Sequence, residues 1–414
     1  MGRSLATKVA TAIRERASIH LMLPSSQTSA TRQPGRRLEL DALRGLMLVW
    51  IALTHLPTNV SKYVNQPFGY VAATEGFIFL SALFTGLIYF RVWEREGPVA
   101  MCRRLWKRAG RLYGYHLFLL LVAFLIGAPI AARSYRPALH NLLDYYFVAG
   151  RGRAFVDAAL LLYRPPLLDI LPIYIIFLFI TPIVLVLARR LGWRYVLPAS
   201  FLLWLLAQFG FRNFVYGLLT RAFHLHVPLN EMGAFDLWAW QFWWLVGLYF
   251  GVHWAKGDLR LDRWAKHMAA PAAILAAFFL ALRYSEAAGL VELGRFGVLL
   301  NKWDFGVGRI IDAAALATLA IRFQAIVKRL AIQPLVLLGQ ASLEVFCVQL
   351  FCVFIALAAM RGNPVLTGWQ AAVAILISLL AMLVTAILMA NHRASKVHRG
   401  TVPLVTPPVV RKAA

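Results

Sequence analysis

Stretches of about twenty predominantly apolar residues recur along this chain, a length that crosses a bilayer's hydrocarbon core as a helix. Ten can be marked, at roughly 38–57, 71–92, 112–132, 167–188, 195–211, 237–255, 267–285, 305–321, 334–358 and 368–390. Lipid offers backbone groups no hydrogen-bond partners, so such segments must be helices or strands of a closed barrel. Their length selects helices. The expected fold is all-α, a polytopic membrane protein with about ten transmembrane helices. Composition agrees. The chain is 60% hydrophobic and 15% charged, where soluble domains run about 45–50% and about 25%.

The net charge of +25 would suit a nucleic-acid partner only if the basic residues formed one surface. They follow the membrane segmentation instead. With the N-terminus inside, segments 1–37, 94–111, 189–194, 256–266, 322–329 and 391–414 hold 28 of the 43 Lys and Arg residues. The opposite segments hold 11, and Arg44, Arg91, Arg283 and Arg309 lie within spans. This asymmetry predicts an N-in, C-in arrangement, and no nucleic-acid partner is needed. Residues 1–37 read as a basic, solvated cytoplasmic tail, 38–390 as the membrane domain and 391–414 as a second basic tail. Cys102, Cys347 and Cys352 make neither a disulfide framework nor a metal spacing. His224 and His226 offer two ligands without a third, so no metal is expected. The longer outward segments 133–166 and 212–236 are rich in aromatic and basic residues and read as inserted helices or a cap.

Ionisable residues inside spans cost several kcal/mol and are functional candidates by default. The first span, LELDALRGLMLVWIALTHLP, carries Asp41, Arg44 and His55. At ~100° per residue Arg44 and His55 fall within ~20° of one face, separated by a rise of ~16 Å. Glu75 opens the second span at the depth of His55, where a carboxylate can orient an imidazole. Ser81 reads as a packing hydroxyl. Asp169, Asp236, Gln241 and Glu344 are further polar residues at or within spans, and Glu344 at mid-span needs a partner from another helix. Arg309 and Asp312, three apart, read as an ion pair within one helix. Trp238, Trp240, Trp243 and Trp244 read as an interfacial aromatic belt, with a sugar-stacking platform as the sharper alternative.

Taken in order, RRLELDALRGLMLVWIALTHLP, EGFIFLSALFTGLIY, YRPPLLDILPIY, FDLWAWQFWWLVGLYFG and LGQASLEVF resemble the blocks of the OpgC protein family, from about Arg36 to about residue 390. The Arg-X10-His of the first block is shared with acyltransferase-3-type membrane enzymes. The resemblance implies ten helices in a bacterial inner membrane. It also implies transfer of an acyl group, typically succinyl from succinyl-CoA, to osmoregulated periplasmic glucans. It implies His55 as the catalytic histidine, Arg44 as a donor-binding residue and Asp41 as its partner. Two departures stand out: Ser81-Ala82 where Ser-Gly is usual, and Gln340-Ala341-Ser342 where a more basic stretch is usual.

The chemistry expected is O-acyl transfer. Arg103, Arg104, Lys107 and Arg108 form a basic rim for the phosphates of acyl-CoA, a donor substrate rather than a bound cofactor. Arg44 guides the donor inward, His55 acts as general base on a glucan hydroxyl and Glu75 supports the imidazolium. Asp169, Asp236, Trp240, Gln241 and Glu344 are the candidates on the saccharide side. Acylation of another polysaccharide, such as acetylation, is the same chemistry with other partners. A transporter moving a lipid-linked or anionic sugar past the same polar stripe is the rival from a different class, though no internal repeat supports it.

Overall fold

The structure is a computed structural model and describes residues 38–134, 136–360 and 365–400. The tail 1–37 and residues 401–414 lie outside the described residues. Everything described is helical except for turns and one isolated bridge between Thr58 and Leu366. Each of the ten apolar segments becomes helix. The principal elements are α1 (Leu38–His55), α2 (Ala73–Val122), α3 (Ile170–Arg190), α4 (Trp193–Gln208), α5 (Phe211–Phe223) and α6 (Leu237–Lys256). They continue with α7 (Leu261–Ala287), α8 (Val307–Arg322), α9 (Gln333–Gln340), α10 (Ser342–Ala359) and α11 (Gly368–Gly400). Residues 391–400, expected in a tail, extend α11.

By length and composition five helical runs can cross a membrane, or six if the pair α4–α5, bent by 83°, counts as one span. That is fewer than the ten expected, for identifiable reasons. α1 carries Glu39, Asp41 and Arg44, and α8 has 16 residues including Arg309, Asp312 and Arg322. The expected span 334–358 is interrupted at Ala341 (φ −100°, ψ 31°) into the eight-residue α9 and the 18-residue α10, of which α10 alone still qualifies. One qualifying run, Ala73–Arg133, contains two of the predicted segments.

That run is not straight. At Gly97 the backbone takes φ 86°, ψ 173°, a conformation that suits glycine, and Pro98 follows as the first residue of the next helical stretch. A continuous helix would place Thr85 and Arg108 ~35 Å apart. Instead the Arg108 guanidinium donates to Thr85 Oγ1 at 3.3 Å. The two arms of α2 are therefore antiparallel, with Gly97 at their tip. Residues 98–111, expected as part of a cytoplasmic connection, are the start of the returning arm.

Two close helix crossings set the packing. On α6, Gly247 and Gly251 lie four apart, and a Cβ on either would overlap backbone of 79–87 in the first arm of α2; Gly86 meets Leu248 in the same way. Small residues at this spacing let helix backbones approach directly. On α1, a Cβ at Gly45 would overlap the Leu335 carbonyl oxygen, and a Cβ at Gly339 on α9 would overlap that of Asp41. The returning arm runs on through a π-helical turn, Ala123–Gly127, to Arg133. Three short helices, Pro137–Leu142, Asp144–Ala149 and Arg151–Ala159, then occupy the first long connection. Gly339→Ala is expected to force α9 off α1 at a cost of about 1–3 kcal/mol, read as a lower unfolding temperature of the detergent-solubilised protein.

Candidate active site

Polar groups in this helical interior gather at two levels. The first lies toward the end marked by Leu38 and the Gly97 turn. The Gly45–Gly339 crossing brings Arg44 to the start of α10, where its Nη2 donates to Ser342 Oγ at 2.5 Å. The guanidinium lies 5.0 Å from the centre of the Phe84 ring. From the returning arm of α2, Arg108 reaches the same pocket and donates to Tyr174 Oη at 2.5 Å. Arg44, Arg108, Ser81, Tyr174 and Ser342 line this pocket together with apolar side chains, and no carboxylate lines it. Because α10 starts afresh after Ala341, its N-terminal N–H groups and positive dipole end also lie at Ser342. Two guanidiniums and a helix N-terminus give the pocket wall a positive polarity, with Glu344 in the same first turn offsetting part of it.

The second level lies about 16 Å further along α1 by helix rise, at His55, the last residue of that helix. Its Nδ1 is buried and has no hydrogen-bond partner. The carboxylate expected beside it is engaged elsewhere. Glu75 is fully buried and accepts from Arg309 Nε at 2.9 Å and, with its other oxygen, from the Ala72 N–H at 3.0 Å. Arg309 Nη2 donates to the same Glu75 Oε1, so two guanidinium N–H groups converge on one carboxylate oxygen. Arg309 and Asp312 thus do not pair within their helix. Asp312 instead accepts the Tyr70 N–H at 2.7 Å. The charge acting on His55 is that of Lys302, whose ammonium is also an electrostatic neighbour of Glu75, Arg309 and Asp169. Lys302 and Arg309 open on a cavity of about 670 Å³, with Gln66, Tyr70, Arg283 and Glu286 on other walls. Tyr70 Oη donates to Glu286 at 2.8 Å.

The remaining sequence candidates divide clearly. Asp41 is buried beside the α1–α9 crossing. Arg103, Arg104 and Lys107 are exposed, and Arg104 pairs with Glu96 at 2.5 Å, so of the expected rim only Arg108 turns inward. Asp169 is buried and accepts the Ala234 N–H at 3.3 Å. Asp236 is the N-cap of α6 and accepts the Trp238 N–H at 2.7 Å. Gln241 is consumed in a helix–helix link, accepting from Ser200 Oγ at 2.6 Å and donating to the Ser200 carbonyl at 2.8 Å.

Trp240, Trp243 and Trp244 are buried, which removes both the belt and the sugar-platform readings for them. Their indole N–H groups instead donate to the carbonyls of Trp303 and Glu75 and to Thr181 Oγ1. Glu344 sits in the first turn of α10, not at mid-span, and there the helix dipole stabilises its charge. Among the described residues no group of three His, Cys, Asp or Glu is placed to hold a metal.

Tyr174 and Lys302 were not singled out by the sequence, and Ser342 entered only as part of the atypical stretch Gln340-Ala341-Ser342. Tyr174 looks like an ordinary packing residue. Lys302 sits in an outer segment where a solvated lysine is unremarkable.

The family model of the OpgC protein matches residues 36–394, nearly the whole chain. The chain belongs to this family, and membership points to a membrane acyltransferase acting on glucans. No curated protein and no solved structure matches the chain.

Breaking a buried ion pair from one side costs about 3–5 kcal/mol, because the surviving charge is stranded. Glu75→Ala and Arg309→Met are each expected to destabilise the protein by that amount, and the double substitution Glu75→Leu/Arg309→Met by less than either alone. Thermal unfolding of the four proteins in one detergent tests this.

Proposed function

We propose that the protein is an inner-membrane O-acyltransferase that moves an acyl group, succinyl in the first instance, from acyl-CoA onto hydroxyls of periplasmic glucan. The single observation that carries the reading is the placement of two unlike sites along α1. A pocket with Arg44 and Arg108 on a wall of positive polarity lies at one level. A half-buried imidazole lies about 16 Å away, under the charge of Lys302, which lines a polar cavity.

The end bearing Leu38 and Gly97 faces the cytoplasm in this proposal, since basic residues such as Arg103, Arg104, Lys107 and Arg189 collect there. Acyl-CoA approaches from that side. Arg44 and Arg108 hold its anionic portion, and the flexible pantetheine arm carries the thioester toward His55. The outer cavity admits the saccharide. Its Gln66, Tyr70, Arg283 and Glu286 side chains provide both donors and acceptors. His55 takes the proton of the attacking hydroxyl. Glu75 contributes by fixing Arg309 and the start of α2, rather than by touching the imidazole. Both levels lie within the helical interior, which keeps water from competing for the acyl group.

General-base removal costs about 10²–10⁴-fold in rate. His55→Ala is therefore expected to lower transfer of label from acyl-CoA to glucan by at least about a hundredfold without loss of folded protein. Wild-type turnover by this variant would end the proposal. Arg108→Met is expected to raise the KM for acyl-CoA with a smaller change in kcat. Passage of glucan or a lipid-linked sugar across vesicles without CoA release would favour transport instead.

A further inference from the structure

The outer cavity holds three cations, and two are already compensated. Arg309 is paired with Glu75, and Arg283 lies 3.7 Å from Glu286. Lys302 is different. It lines the cavity and acts electrostatically on His55. No carboxylate stands within ion-pair distance of it among the described residues. Its recorded close neighbours are aromatic faces: the ammonium lies 5.3 Å from the Trp303 ring centre and 5.9 Å from that of Phe235.

The turn that carries Lys302 is held from several sides. Asn301 Oδ1 accepts the Trp303 N–H at 2.9 Å, and the Asn301 amide donates to Asp304 at 2.6 Å. The Trp303 carbonyl accepts from the Asp236 N–H at 2.9 Å and from Trp240 Nε1 at 3.1 Å. The Phe305 carbonyl accepts from Trp204 Nε1 at 2.9 Å. Phe305 itself is held at φ 47°, a strained value for a bulky residue that persists only where the surroundings over-determine it. Trp204 and Trp240, the latter one of the indoles that looked like a membrane belt, fix this turn. A cation fixed in advance on a cavity wall, with no ion-paired carboxylate among the described residues and within electrostatic range of a candidate general base, is the arrangement that stabilises charge developing during a reaction.

We infer that Lys302 is the oxyanion-stabilising cation of acyl transfer: it receives the negative charge that forms on the carbonyl oxygen as the acyl group passes to the acceptor at His55. This rests on the acyl-transfer reading above. In the step, the acceptor oxygen bonds to the thioester carbonyl carbon and its proton passes to the His55 imidazole. The carbonyl π pair moves onto oxygen beside the Lys302 ammonium. Collapse of that tetrahedral species restores the carbonyl, breaks the C–S bond and releases the CoA thiolate, which takes the proton back from the imidazolium. The products are one ester and one free CoA thiol. Burial, and secondarily Arg309, hold the Lys302 ammonium below the usual lysine range, while Glu75 and Asp169 oppose the shift. The charged form is the active one, so turnover should fall as pH rises through the pKa of Lys302.

Because the Lys302 side chain makes no hydrogen bond, Lys302→Met should leave the fold intact, and size-exclusion behaviour and unfolding temperature check this. Wild type, Lys302→Met, Lys302→Arg and His55→Ala are to be assayed with succinyl-CoA and acetyl-CoA. Removal of an oxyanion donor costs about 10²–10³-fold in kcat. The expected result is a loss of that order in Lys302→Met with every donor the wild type accepts, at little-changed KM. Lys302→Arg should recover part of the rate and move the alkaline limb of the pH profile upward.

A Lys302→Met rate within about threefold of wild type, beside an inactive His55→Ala, would overturn this inference and leave the functional proposal standing. A loss confined to succinyl-CoA would overturn it in favour of recognition of the acyl carboxylate. Absence of transfer by the wild type would remove both.

Discussion

The buried pair between Glu75 and Arg309 joins residues 234 positions apart in sequence. Neither side chain has water to turn to, and an unpaired charge in such a place costs several kcal/mol. The pairing therefore fixes where the start of α2 must sit against α8. The consequences spread from there. Glu75 also ties the Ala72 N–H, and its backbone carbonyl accepts from Trp243 on α6. One turn further along α8, Asp312 holds the Tyr70 N–H. The segment leaving α1 after His55 must then return through Tyr70 to this junction, so the imidazole, the cavity and Lys302 share one neighbourhood because the ion pair draws their helices together.

The opposite level uses a different device. There the charges of Arg44 and Arg108 are supported by hydroxyls and aromatic faces, not by carboxylates lining the pocket. The hydroxyls of Ser342 and Tyr174 accept from these guanidiniums at the pocket wall, whereas at the Glu75–Arg309 junction the guanidinium meets a carboxylate.

Much of the helical plan was legible in the sequence, because lipid imposes a length rule that apolar runs must obey. The break at Ala341 and the depth of the Gly97 reversal were not legible: local composition permits a helix to continue past the first, and a basic stretch looks cytoplasmic around the second. Arg44 and His55 on one stripe followed from helix periodicity alone. Partners did not. Glu75 was matched to His55 by depth, but depth cannot weigh an arginine from α8 against a neutral imidazole, and the full opposite charge wins. The tryptophans misled because indole suits both an interface and a buried site that offers a carbonyl to its N–H.

Lys302 shows how a residue without a distinctive sequence environment gains meaning from what surrounds it. Its turn takes hydrogen bonds from α4 and α6, while its ammonium donates none among the described residues. A desolvated ammonium held on an ordered turn, away from ion-pair distance of any carboxylate among the described residues, is costly unless a reacting group offsets it. The buried Arg309 is compensated by Glu75. A cation with no ion-paired carboxylate, within electrostatic range of an imidazole whose Nδ1 is also unpartnered, places two incomplete groups together, and a reacting carbonyl with its attacking hydroxyl is the chemical unit that completes both at once.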